Sequence, residues 1–283
     1  MGLEVLINAI PVQTKDFEWS TNLSYSTNKN ELKSISNDEF SMSTDWFTTG
    51  HTGEPIQTST HRVKVGCPVG DFYGLKSVGL TTDGKWLVER FDENGKKFYD
   101  YANNATEADW QILGNGVPTH YLNFNNTLRY KNWDLTIGMR GAFGFQILNF
   151  QEMYYANPTI QYNVLNSAFD THPTYEIVDG GYGLKRANKD VNISDSQRYV
   201  SEYVEDGDYW KIDNVTLGYT FNTKTWKYVK NLRLYASCLN LATITGYKGL
   251  DPEVRMTGLD AGTDSRDKYP TNRSFTFGVN VTF

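Results

Sequence analysis

The chain has 283 residues, a formal net charge of −6 at pH 7 and two cysteines. Mild acidity without a basic run argues against binding to nucleic acid. No stretch approaches the ~18 consecutive apolar residues of a membrane-spanning helix, so a passage through a bilayer would require β-strands. Aromatic residues make up 14% of the chain, which suits a β-protein with aromatic residues at a membrane interface.

Two alternating segments begin the chain. Residues 3–9 are apolar at every second position, which is the period of a β-strand. Residues 11–16 are predicted to form a short turn, and a second strand then runs over residues 17–32. Residues 1–10, which already contain the first strand, have none of the features of a signal peptide. We therefore expect the chain to be the C-terminal part of a longer polypeptide.

A long polar segment follows at about residues 34–119, with smaller strands predicted at residues 61–65 and 85–91. So long a connection is unusual in a compact domain and indicates a functional surface or a folded loop. A clear hairpin comes next, in which residues 122–130 and 133–143 alternate on either side of a two-residue connection. Such a short connection is typical of the periplasmic side of an outer-membrane barrel.

The rest of the chain repeats this rhythm. Two further long loops are predicted at about residues 149–207 and 244–272. Strands are predicted over residues 209–221 and 232–240. The last strand, residues 273–283, carries Phe and Val on one face and Ser, Thr, Asn and Gly on the other. A soluble sandwich usually presents Lys and Glu on its outer face, whereas small polar residues suit the inner wall of a water-filled barrel.

The predicted fold is all-β, with about seven long antiparallel strands and long extracellular loops that form a portion of a transmembrane β-barrel. Seven strands fall below the roughly eight that a bacterial barrel needs to close. Two alternatives stay open. The chain is a small autonomous outer-membrane barrel if strands of the first loop join the wall, or it is a soluble β-sandwich that acts as a carbohydrate-binding or hydrolase module.

Several segments resemble SusC/RagA-type TonB-dependent outer-membrane transporters, in order along essentially the whole chain. They are VGDFYGLK at 69–76, ILGNGVP at 112–118, DYWKIDNVTLGYTF at 208–221, NLRLYASCLNL at 231–241, TGYKGLDPEV at 245–254 and the final segment 269–283. The resemblance implies that residues 1–283 are the C-terminal part of a 22-stranded barrel in the bacterial outer membrane. It also implies that Phe283 closes a signal for barrel assembly.

The resemblance further implies uptake of oligosaccharides or peptides together with a SusD-like surface lipoprotein. Membrane lipid, the barrel-assembly machinery and the TonB complex are the other implied partners, the last through an N-terminal region that this sequence does not contain. Since the sequence also has no plug, we do not expect it to transport alone.

Few residues suggest a chemical site. Asp92, Asn94 and Asp100 surround a glycine turn and offer oxygen ligands to calcium, with a plain solvated turn as the alternative. Scattered histidines and carboxylates form no catalytic arrangement, so no enzyme activity and no cofactor are predicted. Cys67 and Cys238 are either paired or free. Tyrosines of the second loop are candidates to stack on a ligand or to pack the loop: Tyr154, Tyr155, Tyr162, Tyr175 and Tyr182.

Overall fold

A computed structural model describes all residues from Met1 to Phe283. Nineteen β-strands account for most of the regular structure. In chain order they are β1 (Gly2–Gln13), β2 (Phe17–Asn28), β3 (Trp46–Thr49), β4 (His61–Lys64), β5 (Asp71–Gly74), β6 (Ser77–Leu80), β7 (Trp86–Phe91), β8 (Lys97–Tyr101), β9 (Gln111–Asn115), β10 (His120–Tyr130), β11 (Trp133–Phe143), β12 (Gln146–Asn149), β13 (Tyr175–Val178), β14 (Gly183–Arg186), β15 (Val204–Asp206), β16 (Tyr209–Thr220), β17 (Asn231–Thr245), β18 (Thr263–Asp264) and β19 (Ser274–Thr282).

The helices are short. One α-helix, α1 (Phe150–Tyr155), is capped at its N-terminus by Asn149, whose side chain accepts a hydrogen bond from the Glu152 amide. Single turns of 3-10 helix lie at Ala102–Asn104, Glu107–Asp109, Asn166–Phe169, Asp179–Gly181 and Ser201–Tyr203. None of these helices has the length and apolar character needed to cross a membrane.

The seven longest strands form one antiparallel sheet in the order β1-β2-β10-β11-β16-β17-β19, which we call the wall sheet. The prediction of about seven long strands is confirmed. The predicted hairpin is also confirmed, since Tyr130 pairs with Trp133 across Lys131 and Asn132. Lys131 takes the left-handed backbone conformation, with a φ of 53°, that a tight turn of this kind requires.

The second strand ends at Asn28 and not at the predicted residue 32. Two other predicted strand ends are also wrong, and a β-bulge explains each of these. The first strand does not stop before Pro11 but continues to Gln13, because the pairing register with β2 shifts between Ala9 and Val12. A bulge leaves a residue outside the ladder, and proline is tolerated there. Similarly, β17 continues past Asn240, which has a φ of 53° and lies in a register shift.

The wall sheet has one apolar and one polar face, because directly paired residues share a face. On the apolar face Phe124 lies between Leu23 and Met139. On the polar face the neighbouring Asn125 lies between Asn22 and Gly138. At the two ends of the sheet, nearly every residue of β1 and β19 is exposed.

The three long connections fold together into one unit, which we call the loop domain (residues 29–119, 144–208 and 246–273). It contains two sheets from the first connection, β3-β4-β5-β9 and β6-β7-β8, together with the sheet β15-β12-β18 and the hairpin β13-β14. Its main core has 14 buried residues, all from the first two connections, and Trp86, Phe72 and Tyr154 are among the most deeply buried. The first connection is therefore a folded loop, as one of the two interpretations predicted.

Close backbone contacts join the third connection to the first. His61 is completely buried, and its Nε2 donates a hydrogen bond to the carbonyl of Ala261 over 2.9 Å. In the neutral imidazole a proton on Nε2 leaves Nδ1 unprotonated, so Nδ1 accepts a hydrogen bond from the Thr60 hydroxyl over 2.7 Å. Gly116 approaches so closely that a Cβ there would lie 2.0 Å from the Ala261 oxygen. Only glycine fits at this position.

Candidate functional site

The apolar face of the wall sheet ends in a row of aromatic residues on each side. At the end with the short connections, Trp133 packs against Tyr219 with ring centroids 4.8 Å apart, and Tyr219 packs against Phe221 at 4.9 Å. At the opposite end, next to the loop domain, Tyr25 stacks on His120 at 5.9 Å and Phe143 on Trp210 at 6.4 Å.

The separation of the two aromatic rows fits a lipid bilayer. Strand β10 connects them, from His120 in one row to Tyr130 in the other. Ten residues at ~3.3 Å each span ~33 Å along the strand, and a tilt near 45° reduces the height to ~23 Å. Outer-membrane barrels carry an apolar band of about 25 Å between two aromatic girdles. The apolar face is therefore suited to contact lipid.

The polar face of the wall sheet is nearly neutral. Near the short connections, Arg129 pairs with Glu18 at 3.1 Å, and Arg233 donates from Nε to Asp134 over 3.0 Å. Between these pairs and the loop domain lie mainly amide and hydroxyl side chains. They are Asn8, Ser20, Asn22, Asn125, Thr127, Thr136, Asn214, Thr216, Ser237 and Thr276. Such a face can be hydrated without attracting ions of either sign.

A cluster of charges attaches the third connection to this face, and we call it the anchor cluster: Arg140, Lys211, Asp213, Asp251 and Glu253. Arg140 and Lys211 are directly paired across β11 and β16, so the two cations would repel each other if nothing neutralised them. Asp213 lies 3.2 Å from Arg140. From the loop domain, Glu253 contacts both cations, and Asp251 lies 3.5 Å from Lys211.

Burial makes the anchor cluster energetically important. The side chains of Lys211 and Asp251 are only 2% and 5% exposed. Burial by itself raises the pKa of Asp251, but hydrogen bonds from Thr271 and the Glu253 amide, together with Lys211 and Lys268, lower that pKa below its ordinary value. The carboxylate therefore stays charged and keeps the GLDPEV segment on the polar face.

The three calcium candidates do not converge. Asp92 lies in the β7–β8 turn, where Oδ1 accepts from the amides of Asn94 and Lys96 and Oδ2 accepts from the Tyr182 hydroxyl. Asp100 pairs with Val88 farther along the hairpin and forms an ion pair with Arg90 at 2.8 Å. No group of three or more His, Cys, Asp or Glu residues in the structure has the geometry of a metal site. Cys67 and Cys238 are both free.

The candidate tyrosines differ sharply in exposure. Tyr154 is fully buried, and its hydroxyl donates to the carbonyls of Thr52 and Gly53. It therefore belongs to the core and presents no ring face to a ligand. Tyr155 is half-buried beside it, and Tyr162 is 51% exposed. Tyr175 packs under Arg186. Tyr182 packs against the β7–β8 turn, where the Lys96 ammonium lies over its ring.

Tyr162 forms part of a large cleft, which has a volume of about 800 Å³ and lies where the first two connections meet. Trp110 and Arg198 also line it. Neither residue was predicted from the sequence, because no spacing pattern relates residues 110, 162 and 198. Only the tyrosine-rich composition of the second connection pointed toward this region.

The two faces, the height of the apolar band and the aromatic rows define the class of protein: a wall segment of an outer-membrane β-barrel. Known proteins agree with this class. No protein-family model matches the sequence. The chain is 30% identical over 307 aligned residues to TonB-dependent receptor P3 of Formosa agariphila, covering all of the chain and 28% of that relative. It is 28% identical to TonB-dependent receptor SusC of Bacteroides thetaiotaomicron, covering all of the chain and 26% of SusC.

The fold agrees with the sequence. A solved structure of the RagAB peptide transporter superposes on the whole chain with a TM-score of 0.76, at 17% identity and over 29% of that chain. The chain is therefore related along its whole length to TonB-dependent receptors of the SusC/RagA type, which are outer-membrane proteins. It spans between a quarter and a third of the length of these relatives. The relatives are receptors and transporters rather than enzymes.

Proposed function

We propose that this chain supplies part of the wall and of the outer loops of a TonB-dependent nutrient transporter that imports oligosaccharides or peptides. Residues 1–283 act as one portion of the receptor barrel, with the wall sheet in the membrane and the loop domain on the cell surface. This orientation follows from the short connections, because barrels keep short turns on the periplasmic side.

The observation that carries the proposal is the exposure of both ends of the wall sheet. Strands β1 and β19 have one neighbour each, and their apolar residues are open, with Phe277 82% exposed and Leu3 57%. Unpaired strand edges are not tolerated in a bilayer. Further strands are therefore needed on both sides, and the chain alone is not expected to transport. The small-barrel alternative is disfavoured because the smaller strands of the first connection form separate sheets instead of joining the wall.

The exposed apolar face of the wall sheet disfavours the soluble-sandwich alternative. A sandwich would cover its apolar face with a second sheet, whereas here Phe275, Val279 and Leu217 are 67%, 60% and 44% exposed.

The partner is proposed by similarity. The RagAB structures are those of a two-component peptide importer, and a SusD-like lipoprotein is the corresponding partner for this chain. The broad, folded loop domain provides a surface on which such a protein can dock. Energy would come from the TonB complex, and membrane insertion from the barrel-assembly machinery.

Deletion of the coding sequence in the source cells tests the function. We expect loss of growth on a subset of oligosaccharides or peptides as sole nutrient, restored by complementation, and a heat-modifiable band in the outer-membrane fraction. Unchanged growth on every tested nutrient, or recovery of the protein in the soluble fraction, would contradict the proposal.

Affinity purification from mild detergent tests the partner, since a surface lipoprotein should co-purify in stoichiometric amount. Its absence would refute the pairing alone.

A further inference from the structure

The large cleft of the loop domain has the composition of a ligand site. Its volume of about 800 Å³ falls within the range of small-molecule pockets. The walls combine aromatic rings with side chains that carry hydroxyl, amide and charged groups. Gln161, Glu107 and Ser196 are among these, and all three are exposed. Sites of this kind use apolar surface for affinity and a few polar groups for orientation.

Two aromatic rings in the cleft are held in fixed orientations. Trp110 is half-buried and packs edge-on against Tyr73, with centroids 5.5 Å apart. Tyr162 packs edge-on against Tyr155 at 5.9 Å, and its hydroxyl accepts a hydrogen bond from the Gln197 amide over 3.1 Å. Gln197 is itself fixed by donating to the Tyr154 carbonyl over 2.6 Å. Rings that are already ordered lose little entropy when a ligand stacks on them.

The charged groups of the cleft balance each other. Arg198 is held in place by the Asn103 side chain and by the Ala102 carbonyl, 3.5 Å from Nη1. Glu107 lies exposed on the same cleft. One cation and one anion leave the cleft without net charge, so it does not select an ionised ligand. Their planar donors and acceptors suit neutral hydroxyl groups.

The cleft is poorly built for an extended peptide. Peptides in extended form usually pair with the free edge of a β-sheet through main-chain hydrogen bonds. None of the residues that line this cleft belongs to a β-strand. A sugar ring does not need a strand edge: its C–H face stacks on the negative face of an aromatic ring, and its hydroxyls pair with amides and carboxylates.

From these observations we infer that the cleft binds a neutral oligosaccharide, with Trp110 and Tyr162 stacking on sugar rings and Gln161, Glu107 and Arg198 pairing with hydroxyl groups. The inference deepens the proposed function and rests on it, because it selects saccharides over peptides as the ligand of this chain.

Binding of defined probes to the purified receptor that contains this chain, in detergent, tests the inference. The probes are neutral gluco-, xylo-, manno- and galacto-oligosaccharides and, as the alternative class, a mixture of short peptides. We expect at least one saccharide to bind by calorimetry, and Trp110→Ala and Tyr162→Ala each to weaken that binding about tenfold or more, which corresponds to about 1.4 kcal/mol. Trp110→Phe should retain most of the affinity because it keeps an aromatic face.

Two controls separate the ligand contact from a folding defect. Tyr269→Ala changes a tyrosine that is 78% exposed and lies outside the cleft, and it should bind like the unaltered chain. Tyr162 is itself at the surface, so its replacement should leave the circular dichroism spectrum unchanged even if Trp110→Ala perturbs folding.

Binding of peptides but not of any saccharide would overturn the inference, and so would saccharide binding that neither cleft substitution weakens. Neither result touches the proposed transport function, which is read out by growth and uptake after deletion. Conversely, normal uptake after deletion would refute the transport function even if the purified receptor binds saccharides.

Discussion

The loop domain buries its apolar residues in a core, whereas the wall sheet carries its apolar residues on the surface. In the loop domain, Trp86, Leu80 and Phe72 are at most 1% exposed, as in an ordinary water-soluble core. In the wall sheet, apolar residues such as Phe277 and Val279 lie on the surface, and lipid must cover them. One chain therefore contains a region stabilised by its own packing and a region stabilised by its surroundings.

The sharpest test of this difference is a cavity in the core of the loop domain. Trp86→Ala removes a side chain that is 1% exposed and packs edge-on against Tyr203 at 6.1 Å. A cavity of this kind costs about 4 kcal/mol, so we expect the loop domain to become protease-sensitive while the wall stays folded. Trp226→Ala, at a position 47% exposed in the β16–β17 connection, is the matched control and should have little effect. Equal effects of the two changes would contradict the comparison.

The anchor cluster is where the two regions depend on each other. Lys211→Met leaves Asp251 and Glu253 without their shared cation in a mostly buried position, which costs about 3 kcal/mol. We expect the segment from Tyr247 to Thr271 to detach from the wall, measured as faster hydrogen exchange of its amides.

A double substitution identifies the cause. Lys211→Met combined with Glu253→Gln should recover part of the loss, because fewer unpaired charges remain. If the double variant is as unstable as the sum of the two single variants, the charges are not coupled.

Neighbouring residues of one strand should differ in how much stability an added charge costs. Ile137 lies on the apolar face opposite Val215, whereas Thr136 lies on the polar face opposite Thr216. Arginine in the middle of a lipid-facing band costs about 2–4 kcal/mol, so Ile137→Arg should lower the denaturant midpoint of the folded protein in lipid vesicles. Thr136→Arg should change it little. The reverse order would show that the two faces are assigned wrongly.

The smallest expected effect is a dependence on pH that is confined to the loop domain. Burial lowers the pKa of His61 below its ordinary value of 6.5, although the Ala261 carbonyl and Asp260 act in the opposite direction. The unfolded chain therefore binds a proton before the folded chain does, so this contribution to stability is complete above pH 6.5 and declines as the pH falls through the folded pKa.

For one group the decline is at most about 1.4 kcal/mol per pH unit. His61→Gln keeps an amide donor for Ala261 and should flatten the pH profile of loop-domain unfolding. His51→Gln changes an exposed histidine and should leave the profile as it was. A profile that His61→Gln does not alter would assign the pH dependence to other groups.

Sequence reasoning succeeded where the physical signal is local. Period-two alternation located all seven wall strands, and the hairpin at Lys131 followed from the short connection alone. It failed at bulges, as at Pro11 and Asn240, because a single inserted residue interrupts the period without ending the strand.

The loop domain was the harder part to predict, because its stabilising contacts join distant residues. His61 and Ala261 are 200 positions apart, and no pattern in either segment indicates the other. Tyr154 illustrates the consequence: composition marked it as a candidate for ligand contact, yet the surrounding connections bury it completely. Its neighbour in the same segment, Tyr162, reaches the cleft. Only the fold distinguishes the two.

The most direct test of the membrane wall is thiol labelling along β19. In a chain carrying Cys67→Ser and Cys238→Ser, single cysteines would replace Thr276, Phe277, Val279 and Asn280 in turn. In isolated outer membranes, a charged, water-soluble reagent should modify the Thr276 and Asn280 positions, which belong to the polar face, and spare the Phe277 and Val279 positions, which lipid covers. Equal labelling at all four positions, or labelling of the apolar positions alone, would contradict the account.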